Sequence, residues 1–383
     1  MKALILAAGK GTRVMPLTQH CPKPMLRILD TPVLELLIAQ LRQHGVTQIM
    51  INTAHHAQVI EQHFGDGRRF GVEIAYSFEG HVEDGELVGE PIGSAGALRR
   101  IQAHSGFFDD TFLVVCGDAI VDLDITELVA THHQKGAMAT LALQAVPADM
   151  VGHYGVVALD DDGRVTQFQE KPAPSEALSN LVNTGIYVFE PAVLAHIPTD
   201  LPCDLGTHVF PLLAQRGEAL YGLSLPMTWL DIGRREDYHR VCQQALRGEV
   251  PGITLPGREV APGVHIGLNV RINLRRCHVT GPVVIAGSAT VEDGATLIGP
   301  TYIGPGAVIE RGAWVERSVV QAHARVGSHA NLVDVVSNGQ HCLSSDGTVI
   351  DLTRADLPWL ISDARLARSA RTAAEQRFLT HMH

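Results

Sequence analysis

The sequence is short of positive charge and of aromatic rings. Its 30 Lys and Arg stand against 41 Asp and Glu, for a formal net charge of −11, and aromatic residues make up 5% of 383 residues. The basic excess that grips nucleic acid or an anionic membrane is therefore missing. Cysteine is sparse too: the six, at 21, 116, 203, 242, 277 and 342, form no Cys-x-x-Cys and no metal-ligand spacing. That pattern points to reduced thiols rather than a disulfide framework. No apolar run reaches the roughly 18 residues of a membrane span, and the apolar stretch from Met1 to Gly9 is too short for a secretion signal. The expectation is a cytoplasmic protein with neither nucleic acid nor membrane as partner. Apolar residues, at 45%, suffice to bury full cores in two or three domains, which excludes wholesale disorder.

Up to about residue 245, apolar runs alternate with amphipathic ones. Ala3–Leu6, Ile49–Asn52, Val72–Ser77 and Phe112–Cys116 read as strands, with helical stretches near 56–64 and 94–104 between them. Thr31 and Pro32 suit the N-cap and first position of a helix that Gly45 ends, and Asp124-x-x-Glu127 opens another. Further strands read at 139–146, 154–159, 165–169, 181–189 and 219–225, with a helix over 234–247. This rhythm predicts an α/β layer fold on a mixed, mostly parallel sheet.

Beyond the turn-rich Pro251–Gly257 the texture changes. An aliphatic residue recurs every six positions, at Val279, Ile285, Val291, Leu297, Ile303, Ile309 and Val315. A small residue stands two places before most of them: Ala289, Ala295, Thr301, Ala307 and Ala313. A period of six is neither that of a strand nor that of a helix. It fits a parallel β-helix whose coils stack their aliphatics inside. The tail from about Asp356 reads as an amphipathic helix carrying Trp359, Leu360, Ala364, Leu366, Ala367 and Phe378.

Several motifs ask for phosphate and sugar chemistry. Leu6-Ala-Ala8-Gly9-Lys-Gly11-Thr12-Arg13 follows the first strand; its glycines let backbone N–H groups approach phosphate, and Arg13 adds a forked cation. It lacks the Walker spacing, and a tight strand-to-helix turn is the plain alternative. Pro22-Lys23-Pro24 holds a lysine in an extended stretch, as an ammonium aimed at one anion requires; a surface lysine in a proline turn is the plain alternative. Asp118 ends the strand Leu113–Gly117, where open α/β sheets place ligands, and Asp231 ends another apolar run. Two such carboxylates can share one Mg²⁺ with phosphate oxygens. Glu170-Lys171, Asn183 and the Gly155 segment offer acceptors, a cation and an amide for a phosphorylated sugar, or else an ion pair and a turn. The 20 histidines have no carboxylates at ligand spacing, and no activated Ser or Cys nucleophile is evident.

Taken in order, Gly9-Lys-Gly11-Thr12-Arg13, Pro22-Lys23-Pro24, Gly117-Asp118, Glu170-Lys171-Pro172, Asn183-Thr-Gly and Asp231-Ile-Gly resemble the sugar-1-phosphate nucleotidyltransferases. The GDP-mannose pyrophosphorylases, which also carry a C-terminal hexapeptide β-helix, are the most similar group. The resemblance, which covers roughly residues 1–345, implies a Rossmann-like nucleotidyltransferase domain over 1–247 and, past a linker over 248–258, a left-handed β-helix over 259–345; the amphipathic pattern makes 346–383 a helical tail. It implies a reaction of NTP with sugar-1-phosphate, most simply GTP with mannose-1-phosphate, giving the NDP-sugar and pyrophosphate without a protein nucleophile. Arg13 would hold the β- and γ-phosphates, Lys23 the α-phosphate, and Asp118 and Asp231 the Mg²⁺. Leu6, Ala8, Gly9, Gly11 and Thr12 would bind the nucleotide together with Gly93, Ser94 and Ala95. Lys171 would hold the sugar phosphate, while Glu170, Asn183 and the Gly155 backbone read its hydroxyls. Gly93-Ser-Ala-Gly96 keeps the Gly-Thr-Ala-Gly pattern of guanylyltransferases with Ser for Thr, beside an acidic insertion, Glu79 to Glu90, that is a lid or a solvated loop.

Alternatives stay open. The same chemistry with dTTP or UTP and glucose-1-phosphate is one, a non-catalytic regulatory relative another. A third is an acyltransferase β-helix, with His323 and His329 as its only candidates. The flat faces of such a coil predict a homo-oligomer.

Overall fold

In the computed structural model the described residues are 1–198 and 202–366. They fall into two compact units. One comprises Met1–Thr12, Leu17–Leu26 and Val33–Asp231, the other Arg13–Pro16, Arg27–Pro32 and the chain from Ile232 onward.

The first unit is built on a nine-stranded mixed sheet. Its main path runs Val165–Glu170, Gly155–Leu159, Leu181–Phe189, Phe112–Cys116, Lys2–Ala7, Gln48–Thr53, Glu73–Phe78, with Ala139–Ala145 and Leu220–Ser224 branching from Leu181–Phe189. The four strands that the N-terminal rhythm predicts are parallel to one another, and Leu181–Phe189 joins Phe112–Cys116 antiparallel. Lys2–Ala7 is central and apolar on both faces, as a strand covered on both sides must be. Ala3, Ile5, Leu34, Ile38 and Leu113 pack on one face, while Leu4, Phe112, Val114, Leu141 and Phe210 pack on the other.

Two local expectations shift. Thr31 and Pro32 do not cap a helix; they pair with Arg27–Ile28 as a two-residue strand, and the helix starts one position later, at Val33–Gln43. A proline at a strand edge loses no ladder bond, which permits this. Lys23 is not extended either: it opens a single 3-10 turn, Lys23–Met25, after an extended Pro22. Asp124 caps its helix as expected, accepting the Glu127 N–H at 3.0 Å.

The second unit is a parallel β-helix of three sheets. Register shows the coil length directly: Thr296 lies beside Trp314, and Val283 beside Thr301. Ile285, Val291 and Leu297 therefore fall on the three sheets in turn, and Ile303, Ile309 and Val315 repeat them one coil on. The small residues Ala289, Ala295, Thr301, Ala307 and Ala313 are fully buried inside the coil. His323 and His329 occupy left-handed corners (φ 59° each), stacked on Gly306 and Gly312 of the preceding coil. That position explains both without catalysis. Helix Arg235–Leu246 belongs to this unit: Tyr238 donates to the Arg27 carbonyl at 2.7 Å, and His239 and Gln243 donate to the Arg317 carbonyl at 3.0 and 3.1 Å.

The expected tail helix is absent from residues 356–366. They form turns and a strand, Ile361–Asp363, antiparallel to Ala324–Val326. An open sheet edge on the last coil captures the backbone more strongly than an exposed amphipathic pattern can. Ala367 and Phe378 lie outside the described residues.

Candidate active site

Asp118 and Asp231 are brought together by a two-stranded ribbon. Ala119–Val121 pairs antiparallel with Trp229–Asp231, which sets Asp231 opposite Ala119, one residue from Asp118. Asp122 closes the far end, its carboxylate accepting the Thr228 N–H. The near end is fixed to the main sheet, because the Gly117 N–H donates to the Leu6 carbonyl at 2.9 Å. Into this corner points Lys23, 8% exposed. Its Nζ lies 2.5 Å from Asp118 Oδ2 and 3.5 Å from Asp231 Oδ1. Gly11 approaches the same lysine closely: a Cβ there would stand 3.3 Å from Lys23 Cβ and 3.1 Å from Thr18 Cγ2, at a φ of +62°. The Gly11 carbonyl accepts from the Thr18 hydroxyl at 2.8 Å. Gly11, Lys23, Asp118 and Asp231 thus converge at the carboxyl edge of the sheet. Gly9 has open space around it, and Thr12 and Arg13 lie exposed in a 3-10 turn, Thr12–Val14.

Cys116, two residues from Asp118, is a thiol beside the carboxylates that could compete as a nucleophile. Burial pushes its pKa far up, and the Asp118 charge adds to the effect. A thiol so disfavoured as thiolate does not attack. Among the described residues no group of three or more His, Cys, Asp and Glu is arranged to hold a metal. The donor set at Asp118 and Asp231 is all-oxygen and two-membered. It fits a hard divalent ion whose remaining ligands are phosphate and water.

Gly93, Ser94 and Ala95 form the start of helix Ser94–Ser105. Gly93, at φ 84°, admits no side chain, since a Cβ would lie 2.3 Å from the Cys203 carbonyl oxygen. That carbonyl takes the N–H groups of Ala95 and Gly96 at 3.0 and 2.9 Å. Ser94 donates to Asp204 at 2.8 Å and accepts the Leu205 N–H at 2.8 Å. Leu6 and Ala95 belong to one hydrophobic cluster, and Ala8 is buried nearby in sequence.

The residues expected to meet a sugar phosphate are arranged differently. Gly155 pairs with Glu170 across a hairpin, and Cβ atoms on Gly155 and Gly206 would lie 3.2 and 2.9 Å from Glu170 Oε2. Lys171, in the left-handed region at φ 48°, folds back on Glu170 with Nζ to Oε1 of 2.6 Å. Asn183 donates to the Tyr187 hydroxyl at 2.9 Å and accepts the Gly185 N–H at 3.0 Å. The ion pair and the turn are both present.

Three further residues escape a reading by motif. Asp204 caps the helical turn at Leu205–Val209, accepting from Gly206 and Thr207; an Asp a few residues ahead of the apolar Val209–Ala214 stretch is the cap signal that was available. Asn52 and Glu79 are 2% and 1% exposed and bonded to each other. No sequence spacing advertises that pair.

Comparisons with known proteins place the chain in a family. The sequence pattern of the family described as nucleotidyl transferase matches residues 2–248. A UTP–glucose-1-phosphate uridylyltransferase of Synechocystis sp. is 50% identical over 96% of this chain and 95% of its own. A mannose-1-phosphate guanylyltransferase of Mycobacterium tuberculosis is 31% identical over 85% of this chain and 80% of its own. A Bacillus anthracis crystal structure, provisionally described as a glucose-1-phosphate thymidylyltransferase in complex with sucrose, superposes with a TM-score of 0.53. It is 26% identical and covers 63% of this chain and 94% of its own. Among the described residues no helix is long and apolar enough to cross a membrane. The chain belongs to the nucleotidyl transferase family, alongside these sugar-1-phosphate enzymes, and is a nucleotidyltransferase.

Proposed function

We propose that the chain transfers a uridylyl group from UTP to glucose-1-phosphate, giving UDP-glucose and pyrophosphate. The observation that carries this reading is the 50% identity over nearly the whole chain to a uridylyltransferase, against 31% for a mannose-1-phosphate guanylyltransferase. Gly93-Ser-Ala-Gly96, which favours guanine by resemblance, is accounted for by folding. Gly93 is required by the Cys203 carbonyl, and two of the loop's N–H groups are already bonded to it. GTP with mannose-1-phosphate is the second reading, resting on that motif and the guanylyltransferase relatives.

A phosphate oxygen of the sugar-1-phosphate attacks the α-phosphorus in line, and the bond to pyrophosphate breaks as the new P–O bond forms. Positioning and charge neutralisation supply the catalysis. Lys23 turns from the carboxylates to the α-phosphate, Arg13 holds the outer phosphates, and Lys171 leaves Glu170 for the sugar phosphate. Glu170, Asn183 and the Gly155 backbone then read hydroxyls. Asp118 and Asp231 would hold Mg²⁺, which when bound neutralises phosphate charge. Residues 1–247 would carry the catalysis, and 259–345 would mediate self-association. Six free cysteines support a cytoplasmic setting.

Pyrophosphate release across UTP, GTP, dTTP, CTP and ATP, with glucose-1-phosphate and mannose-1-phosphate, each with Mg²⁺ or EDTA, tests this. The expected result is release with UTP and glucose-1-phosphate, abolished by EDTA. Preference for GTP and mannose-1-phosphate overturns the substrate assignment in favour of the second reading, and silence in every well favours a regulatory relative.

A further inference from the structure

Asn52 and Glu79 are buried polar residues that the proposed chemistry does not use. They form a continuous relay between two separate backbone segments. The Ala7 N–H donates to Asn52 Oδ1 at 2.8 Å, Asn52 Nδ2 donates to Glu79 Oε1 at 2.5 Å, and the Ile92 N–H donates to Glu79 Oε2 at 2.9 Å. Ala7 immediately precedes Ala8-Gly9, and Ile92 immediately precedes Gly93-Ser94-Ala95. Each end of the relay therefore sits within or directly beside a segment assigned above to the nucleotide. Glu79 is itself fixed at both backbone atoms: its N–H donates to the Thr53 carbonyl at 2.7 Å, and its carbonyl accepts the Glu90 N–H at 2.8 Å.

The cost of this arrangement is a carboxylate withdrawn from water. Burial pushes the Glu79 pKa above its ordinary value, with the Ile92 and Asn52 hydrogen bonds and the Arg100 charge pulling it back. Polarity explains why an acid is used. Both ends of the relay are N–H donors, so its two side chains must accept at both outer positions. An amide followed by a carboxylate meets that demand. Two amides in series cannot, because one of them ends by facing a donor with a donor.

We propose that Asn52 and Glu79 are positioning residues that set the spacing of the two nucleotide-binding segments, so that their polarity match governs nucleotide affinity. The inference rests on the assignment of Leu6–Gly9 and Gly93–Ala95 to the nucleotide, and not on which base is bound.

The polarity argument supplies its own test. Glu79→Gln sets donor against donor, and Asn52→Asp sets carboxylate against carboxylate. The double variant N52D/E79Q restores an acceptor at each end with a donor between, in the same shape. The measurement is KM for the nucleotide that wild type prefers and KM for the sugar-1-phosphate, with nucleotide Kd by calorimetry and a thermal melt for each protein. Expected is a rise of about tenfold in nucleotide KM and Kd for either single variant, the size of one lost hydrogen bond. Sugar-phosphate KM should stay within about twofold, and the double variant should return toward wild type. If wild type prefers GTP, the substrate assignment above fails while this test runs unchanged on GTP. Unaltered nucleotide KM and Kd in a single variant that melts earlier would reduce the pair to an anchor for the hairpin Gly80–Glu83/Glu86–Gly89 and overturn the proposal. Equal losses for both substrates, or a double variant no better than the singles, would also overturn it.

Discussion

Lys23, Asp118 and Asp231 come from segments 95 and 208 residues apart along the chain and meet through strand pairing. Glu170, Lys171 and Asn183 bond through their side chains to residues no more than four positions away. The first group exists only because the sheet folds; the second would hold its contacts in any local hairpin. Charges assembled by long-range topology at a sheet's carboxyl edge have no structural need to meet there, whereas neighbours in sequence meet by default. The ribbon is thus the stronger argument for chemistry, and the proposed sugar-binding residues would have to open their local bonds to act.

The largest expected effect follows from the ribbon. Asp118→Asn removes one of two carboxylates without changing shape, and kcat should fall about 10²–10³-fold with the circular dichroism spectrum unchanged. A variant within a few fold of wild type would break the comparison, leaving the convergence a stabilising ion pair. Second is the point where the two groups of residues share a wall. Gly185, at φ 80°, leaves a Cβ only 2.7 Å from Cys116 Sγ. Gly185→Ala should lower stability by about 2–4 kcal/mol, from left-handed strain plus overpacking, read as a shift in urea midpoint. An unshifted midpoint would mean that the bulge between Asn183 and Tyr187 relaxes freely.

Lys171→Ala is the third. An exposed ion pair contributes about 0–1 kcal/mol, so the melting temperature should stay put. The loss of a phosphate contact should raise sugar-1-phosphate KM about tenfold while kcat changes less than twofold. A melting shift without a KM change would return Lys171 to a surface ion pair.

How much was legible in the sequence follows the same division. The N-terminal parallel strands and the coil showed because their signals are local and periodic: apolar runs between turns, and an aliphatic every six residues. Asp118 showed through its place at a strand end. What stayed hidden depended on partners far along the chain. The Cys203 carbonyl that dictates Gly93 and the Asn52–Glu79 relay have no spacing of their own. The Thr31-Pro32 helix start and the tail helix failed for a related reason, since available strand partners won over local preference.

Long-range convergence alone does not make a site, and His132 shows this with the smallest of the expected effects. It is fully buried, with Nδ1 2.8 Å from the Thr140 hydroxyl and Nε2 3.2 Å from Glu190 Oε1, yet it lies at no strand's carboxyl edge near the ribbon. Burial lowers its pKa below the ordinary 6.5, with Glu190 only partly opposing. In the unfolded chain the imidazole takes its proton near pH 6.5, while in the folded chain it does so only at lower pH. The stability it contributes is therefore complete above about pH 6.5 and drains away as pH falls, by at most about 1.4 kcal/mol per pH unit. Urea unfolding at pH 7.5 and pH 5.5 should show this loss in wild type. His132→Gln should show a smaller loss, the remainder belonging to His55 and His239, whose pKa values burial also lowers. Equal pH slopes in the two proteins would mean that Glu190 holds the imidazole near its ordinary value, and His132 would then join the residues whose partners, rather than their burial, set their charge.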